Sequence, residues 1–208
     1  FDSQNASILT VTTDAFVKCQ NLNYIWLIYE LFTHLPASFA GQCYNLVTLS
    51  IYFTNLQTID ENAFRGLISL DQLTITHNQI ECLPPLLFQD NKGLQEIDFR
   101  NNKIKALHSI IFKPLIQISY LTLMNNQITY IPDLELDISN RTRGLFTLFL
   151  IDNQINAIHP LFLTHLFSNN KYNQIQINFG KNVMHFETCA YIDPNSPNYN
   201  GIDLQNIY

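Results

Sequence analysis

Glu96 and Asp98 form the closest carboxylate pair in the middle of the chain. Two residues apart on an extended strand, both side chains point to one face, roughly 6–7 Å from each other. That separation is in the range for acid and base work on a glycosidic bond. Arg100 follows at the same spacing, and an opposite charge on the same face compensates Asp98 rather than poising it as a proton donor. His77, near Asp71 and Asp98, offers ligands for a metal ion, but a histidine on a polar face is ordinarily solvated. His34, His108, His159, His165 and His185 fall on segments that read as turns and returns. There is no glycine-rich phosphate loop and no Cys-x-x-Cys knuckle. The expectation is a protein with no catalytic residues, no metal and no cofactor.

Whether any of these groups can act depends on the elements that place them, and those elements repeat. Leu46, Leu49, Ile51, Thr54, Leu56, Ile59 and Phe64 recur 24 residues on as Leu70, Leu73, Ile75, Asn78, Ile80, Leu83 and Phe88. The next copy reads Leu94, Ile97, Phe99, Asn102, Ile104, Leu107 and Phe112, and a fourth begins Ile118, Leu121, Leu123, Asn126. The alternation inside LxxLxLxx is the period-2 signal of a short strand with apolar residues inward. One such unit cannot bury its own apolar face, whereas stacked units can. The recurring Asn sits where the strand turns and can bond the backbone of two coils. Phe16, Phe64, Phe88 and Phe112 predict an aromatic spine opposite the strands.

On these residues the chain resembles the leucine-rich-repeat family, in the subclass typical of animal extracellular proteins, over roughly residues 5–190. The resemblance implies an α/β fold: a curved solenoid with a parallel sheet on its concave face and loops or short helices on its convex side. Residues 1–190 are then one solenoid of about seven to eight repeats, and 191–208 a turn-rich tail. Strands are expected to centre on Trp26, Ser50, Thr74, Asp98, Thr122, Phe149 and Gln176. The spacing stretches after Ile131, with extra residues at Asp133–Arg143 and Leu163–Lys171. The last unit reads Tyr172, Ile175, Ile177, with Gly180 in the Asn slot. Glu30 and Thr54 take that slot in the first two repeats.

Cys19 and Cys43 lie 24 residues apart, in the slot that Leu67 and Leu115 fill later. Equal slots of adjacent repeats are about 5 Å apart, which suits a disulfide; two buried thiols acting as small hydrophobes are the alternative. Cys82 and Cys189 have no evident partner. Asn5 and Asn140 stand in glycosylation sequons.

The outward slots of the strands form the face on which this family commonly docks ligands. Tyr24, Trp26, Tyr29, Tyr52 and Phe53 predict one aromatic patch on it, which a merely solvated surface does not need. The middle repeats are polar. Tyr120, Met124, Phe146, Phe149 and Ile151 predict a second apolar area. A face that runs apolar, polar, apolar suits a protein or peptide partner, self-association included. The net charge of −6 and 13% charged residues make a poor surface for nucleic acid. No apolar run reaches the ~18–20 residues of a membrane helix. The chain begins at Phe1, which suggests a processed product or a fragment. The resemblance extends to Toll-type receptor ectodomains and insect leucine-rich immune proteins, which implies an extracellular recognition module; a building block of a secreted or matrix assembly is the alternative.

Overall fold

Each repeat contributes one strand to a single parallel sheet in the computed structural model, which describes residues 8–12, 15–137, 145–168, 174–183 and 202–203. The strands are β1 (Tyr24–Ile28), β3 (Thr48–Tyr52), β5 (Gln72–Thr76), β6 (Glu96–Asp98), β7 (Tyr120–Thr122), β9 (Leu145–Phe149), β11 (Gln174–Asn178) and β12 (Ile202–Asp203), adjacent in that order. Two short parallel pairs lie beyond the turns: β2 (His34–Leu35) with β4 (Thr58–Ile59), and β8 (Tyr130–Ile131) with β10 (Ala157–Ile158). The register is in phase with the repeat, Trp26 opposite Ser50, Ser50 opposite Thr74 and Thr74 opposite Asp98. The leucine-rich-repeat solenoid that the resemblance implies is the fold.

The apolar slots of the strands point inward as period-2 alternation requires: Ile25, Leu27, Leu49, Ile51, Leu73, Ile75, Ile97, Phe99, Leu121 and Leu123 are all buried. Phe64, Phe88 and Phe112 stack at about 6 Å between ring centroids behind them, and Phe16 meets Phe39 edge-on at 5.1 Å. The Cys19–Cys43 disulfide is formed, with the Cα atoms 4.9 Å apart and both residues buried. Asn91 occupies the corresponding slot two repeats after Cys43. It is buried, and its Nδ2 donates to Phe64 O at 3.1 Å and Leu67 O at 2.9 Å.

The recurring asparagines form a ladder. Asn102 Oδ1 accepts from Ile80 N at 3.3 Å, and its Nδ2 donates to Ile75 O at 2.8 Å and Phe99 O at 3.0 Å. One side chain thus ties its own coil to the preceding one. Asn126 repeats the pattern on Ile104, Phe99 and Leu123, and Asn153 on Ile128, Leu123 and Leu150.

The structure corrects the reading of the last repeat. Its ladder residue is Asn182, not the position of Gly180: Ile155 N donates to Asn182 Oδ1, and Nδ2 donates to Leu150 O and Phe179 O. The strand register agrees, with Ile177 opposite Leu148 and Asn178 opposite Phe149. A shift of two residues leaves the inward and outward faces unchanged, so alternation alone cannot detect it. Phe146 is corrected too. It is buried in the core, while Leu145 is exposed. β9 begins two residues earlier in register than β7, where Tyr120 pairs with Thr147; strict alternation counted back from Leu148 then turns Phe146 inward. The extra return-side residues of this region include helix α1 (Pro160–Ser168), whose Phe162 and Leu166, one turn apart, are buried. Asn5, Asn140 and Cys189 lie outside the described residues; Cys82 is a free, exposed thiol.

Two outcomes follow. Asn102→Ala should destabilise the fold by about 1–3 kcal/mol, because it leaves buried backbone groups unpaired; denaturant melts that match the parent would reject the ladder. Alkylation of the unfolded protein without reductant, read by mass spectrometry, should leave Cys19 and Cys43 unlabelled and Cys82 labelled.

Candidate binding face on the concave sheet

Residues at matching register positions form columns across the sheet, with neighbours about 4.8 Å apart. One column runs Tyr24, Thr48, Gln72, Glu96, Tyr120 and Thr147. The next runs Trp26, Ser50, Thr74, Asp98, Thr122 and Phe149. Ser50, Asp98, Thr122 and Thr147 are buried in their rows, so the middle of the face is a shallow polar floor. Larger rings flank it on both sides.

The flanking rings at the N-terminal side are those named from the sequence. Tyr24, Trp26, Tyr29 and Phe53 are exposed, Trp26 by 45% and Tyr29 by 69%. Tyr52 is half-buried and pairs in register with Ile28. Tyr29 and Phe53 stack at 5.3 Å. On the other side Tyr120 and Phe149 are half-buried and meet edge-on at 5.7 Å, with Met124 and Ile151 beside them in the half-buried class. Phe146 does not join them.

A further column was not anticipated. The residue before each ladder position has left-handed backbone: Tyr29, Phe53, His77, Asn101, Asn125, Asp152 and Lys181 all have φ between 52° and 59°. Asn and Asp enter this region at low cost because their short polar side chains bond locally, whereas rings do not. The rings at the first three positions stack instead, with Phe53 and His77 4.2 Å apart. The column then continues as hydrogen bonds. Asn125 Nδ2 donates to Asn101 Oδ1, which turns Asn101 Nδ2 toward His77 Nε2 at 2.9 Å. His77 Nε2 is therefore the acceptor, and Nδ1–H faces Thr76 Oγ1 at 3.2 Å. Asp152 and Lys181 end the column as an ion pair at 3.3 Å. The sequence signal for this column was the Asn, Asn and Asp before three successive ladder residues.

The carboxylates at the centre are arranged for compensation. Arg100 Nη2 lies 2.7 Å and Nε 2.8 Å from Asp98 Oδ2, and Arg100 N donates to Oδ1 at 3.0 Å. Glu96 is exposed on the neighbouring column. His77 is committed to Asn101 and Thr76, and no group of three or more His, Cys, Asp or Glu suited to a metal occurs among the described residues. Burial first, then the Asp98 carboxylate and more weakly Glu96, push the Tyr120 phenol above its ordinary value, with Arg100 opposing.

Comparisons with known proteins agree with this architecture. The family profile described as leucine rich repeat matches residues 31–80 and 69–128. At the level of whole sequences, no curated protein matches the chain. Among solved structures, Drosophila Toll in its complex with Spatzle superposes with a TM-score of 0.69 at 18% identity, over 89% of this chain and 27% of Toll's. The leucine-rich repeat domain of APL1B gives 0.65 at 14% identity, over 86% of this chain and 49% of the other. TLR13 in its complex with ssRNA13 gives 0.61 at 18%, over 80% and 26%. The chain therefore spans between about a quarter and a half of these proteins. No described helix is long and apolar enough to cross a membrane.

The Tyr120 environment has a measurable sign. A raised phenol pKa means that the unfolded chain releases its proton first as pH climbs past the ordinary value of 10.0, so the stabilisation is present below that value and is lost above it. Tyr120→Phe should change stability little at neutral pH and should flatten the alkaline decline in melting temperature.

Proposed function

We propose that this leucine-rich-repeat solenoid, whose family profile matches residues 31–80 and 69–128, is a non-enzymatic extracellular recognition module that takes a protein or peptide partner on its concave sheet. The observation that carries the reading is the exposed ring cluster of Tyr24, Trp26, Tyr29 and Phe53, with Tyr52 beside it. Rigid aromatic side chains give large contact area for little lost rotamer freedom, which is why binding anchors are so often Trp and Tyr. Tyr120 and Phe149 supply a second anchor across the polar floor. The Cys19–Cys43 disulfide fits an oxidising, extracellular setting. Toll with Spatzle and TLR13 with ssRNA13 are structures of the same fold holding a partner, which supports the choice of binding over catalysis. The compensated Asp98–Arg100 pair on an open sheet supports it as well. Glycosylation at Asn5 and Asn140 belongs to the same reading.

The exposed thiol of Cys82 favours one second reading, a cross-linked building block of a secreted assembly. Non-reducing electrophoresis with size exclusion of the native protein separates the two: covalent multimers that vanish in Cys82→Ser support the assembly.

For the recognition reading, Trp26→Ala combined with Tyr52→Ala should abolish cross-links between the protein and partners in extracellular fluid, or between copies of itself. Its melting temperature should stay near the parent's, since neither side chain belongs to the core. Normal association by this double variant would move the binding surface off the concave sheet.

A further inference from the structure

Charge on the concave face is sorted. Of the described lysines and arginines, only Arg100 and Lys181 stand on its columns, and each is held by a carboxylate, Asp98 and Asp152. Asp71 and Glu96 are left with no ion-pair partner among the described residues. They are neighbours, because Gln95 N and Glu96 N both donate to Asp71 O, at 2.8 and 3.0 Å. On the convex side the signs are mixed instead: Lys105 pairs with Glu81 at 2.6 Å and Lys113 with Glu135 at 2.7 Å, and Glu61 and Asp90, in no ion pair among the described residues, line one cleft with Arg65. A surface shaped only for solubility mixes its signs everywhere. Here Asp71 and Glu96 share a face with exposed rings, and among the described residues no cation on that face is free to balance them.

We propose that the partner is a peptide segment that carries lysine or arginine together with apolar side chains, the cation over Asp71 and Glu96 and the apolar groups against Trp26 and Tyr52. The inference rests on the concave face being the binding surface. β1, which carries Trp26, and β5, which Asp71 precedes, are two strand spacings apart in the sheet. That is about 10 Å, or roughly three residues of extended chain. The small, sunken hydroxyls of Ser50 and Thr122 and the half-buried Thr74 leave room for the segment's backbone. Indole and phenol faces attract cations in their own right, so rings and carboxylates favour the same side chain. A net charge of −6 draws such a segment in from a distance. A nucleic-acid backbone, itself negative, is repelled by that field.

A random peptide library displayed against the intact protein tests this, with the Trp26→Ala/Tyr52→Ala variant used for counter-selection. Retained peptides should be enriched in Lys or Arg together with Leu, Phe or Trp. For an enriched peptide, Asp71→Asn combined with Glu96→Gln should lower the association rate about tenfold at low ionic strength. It should also flatten the salt dependence and leave dissociation nearly unchanged, as expected of charges that steer. Enrichment of acidic or uncharged peptides that still need Trp26 and Tyr52 overturns this inference and leaves the recognition reading standing. So does an association rate indifferent to Asp71 and Glu96. A single-stranded oligouridine that binds and displaces the peptide overturns the inference in favour of nucleic acid. If no retained peptide distinguishes the parent from the aromatic variant, the inference and the recognition reading fall together.

Discussion

From the third strand of the sheet through β11, each strand ends at a backbone that must find hydrogen-bond partners away from water, and a single side-chain amide supplies them. An asparagine carries both an acceptor and two donors. Asn102 and its equivalents spend the acceptor on one N–H of the preceding coil and the donors on carbonyls of both coils. The geometry is tight. In the 24-residue repeats the N–H that is capped lies 22 residues before the amide each time. Insertions on the strand side would break this contact, so the later repeats lengthen on the return side instead, where α1 lies.

The ladder also explains its own beginning. Glu30 stands 22 residues after Ile8 and accepts from its N–H, so a carboxylate performs the acceptor half of the amide's work. It cannot donate when ionised, and its Oε1 is buried without a partner. Thr54 is intermediate, its hydroxyl donating to Asn78 Oδ1 while Leu56 N reaches both oxygens at 3.3 Å. From Asn78 onward the amide is used throughout.

Periodicity made the scaffold legible. Four copies in phase located the strands near Ser50, Thr74, Asp98 and Thr122, and the slot shared by Cys19 and Cys43 placed the disulfide. The same logic failed where the period changed. Beyond Asn153 a two-residue ambiguity is invisible to a pattern with period two, so the pattern points to Gly180 where the ladder uses Asn182. At Phe146 a longer strand extended the alternation past its usual start. The placement of the exposed rings at residues 24, 26, 29 and 53 was readable because outward slots are fixed by the strands. The stack of Tyr29, Phe53 and His77 was not, because it depends on the left-handed backbone before each ladder position, which a ring disguises and an Asn or Asp reveals.

Among the described residues the one disulfide ties Cys19, just before the first full repeat, to Cys43 at the end of that repeat. In a stack whose units touch only their neighbours, opening proceeds from an end, one coil at a time. The covalent tie holds the aromatic end of the array together, while the described residues of β9 and β11 are secured by hydrogen bonds and packing. Amide exchange should therefore grade along the axis, slowest in the early strands and fastest past α1. The rings of the concave face are thus mounted on the part of the spring that yields last.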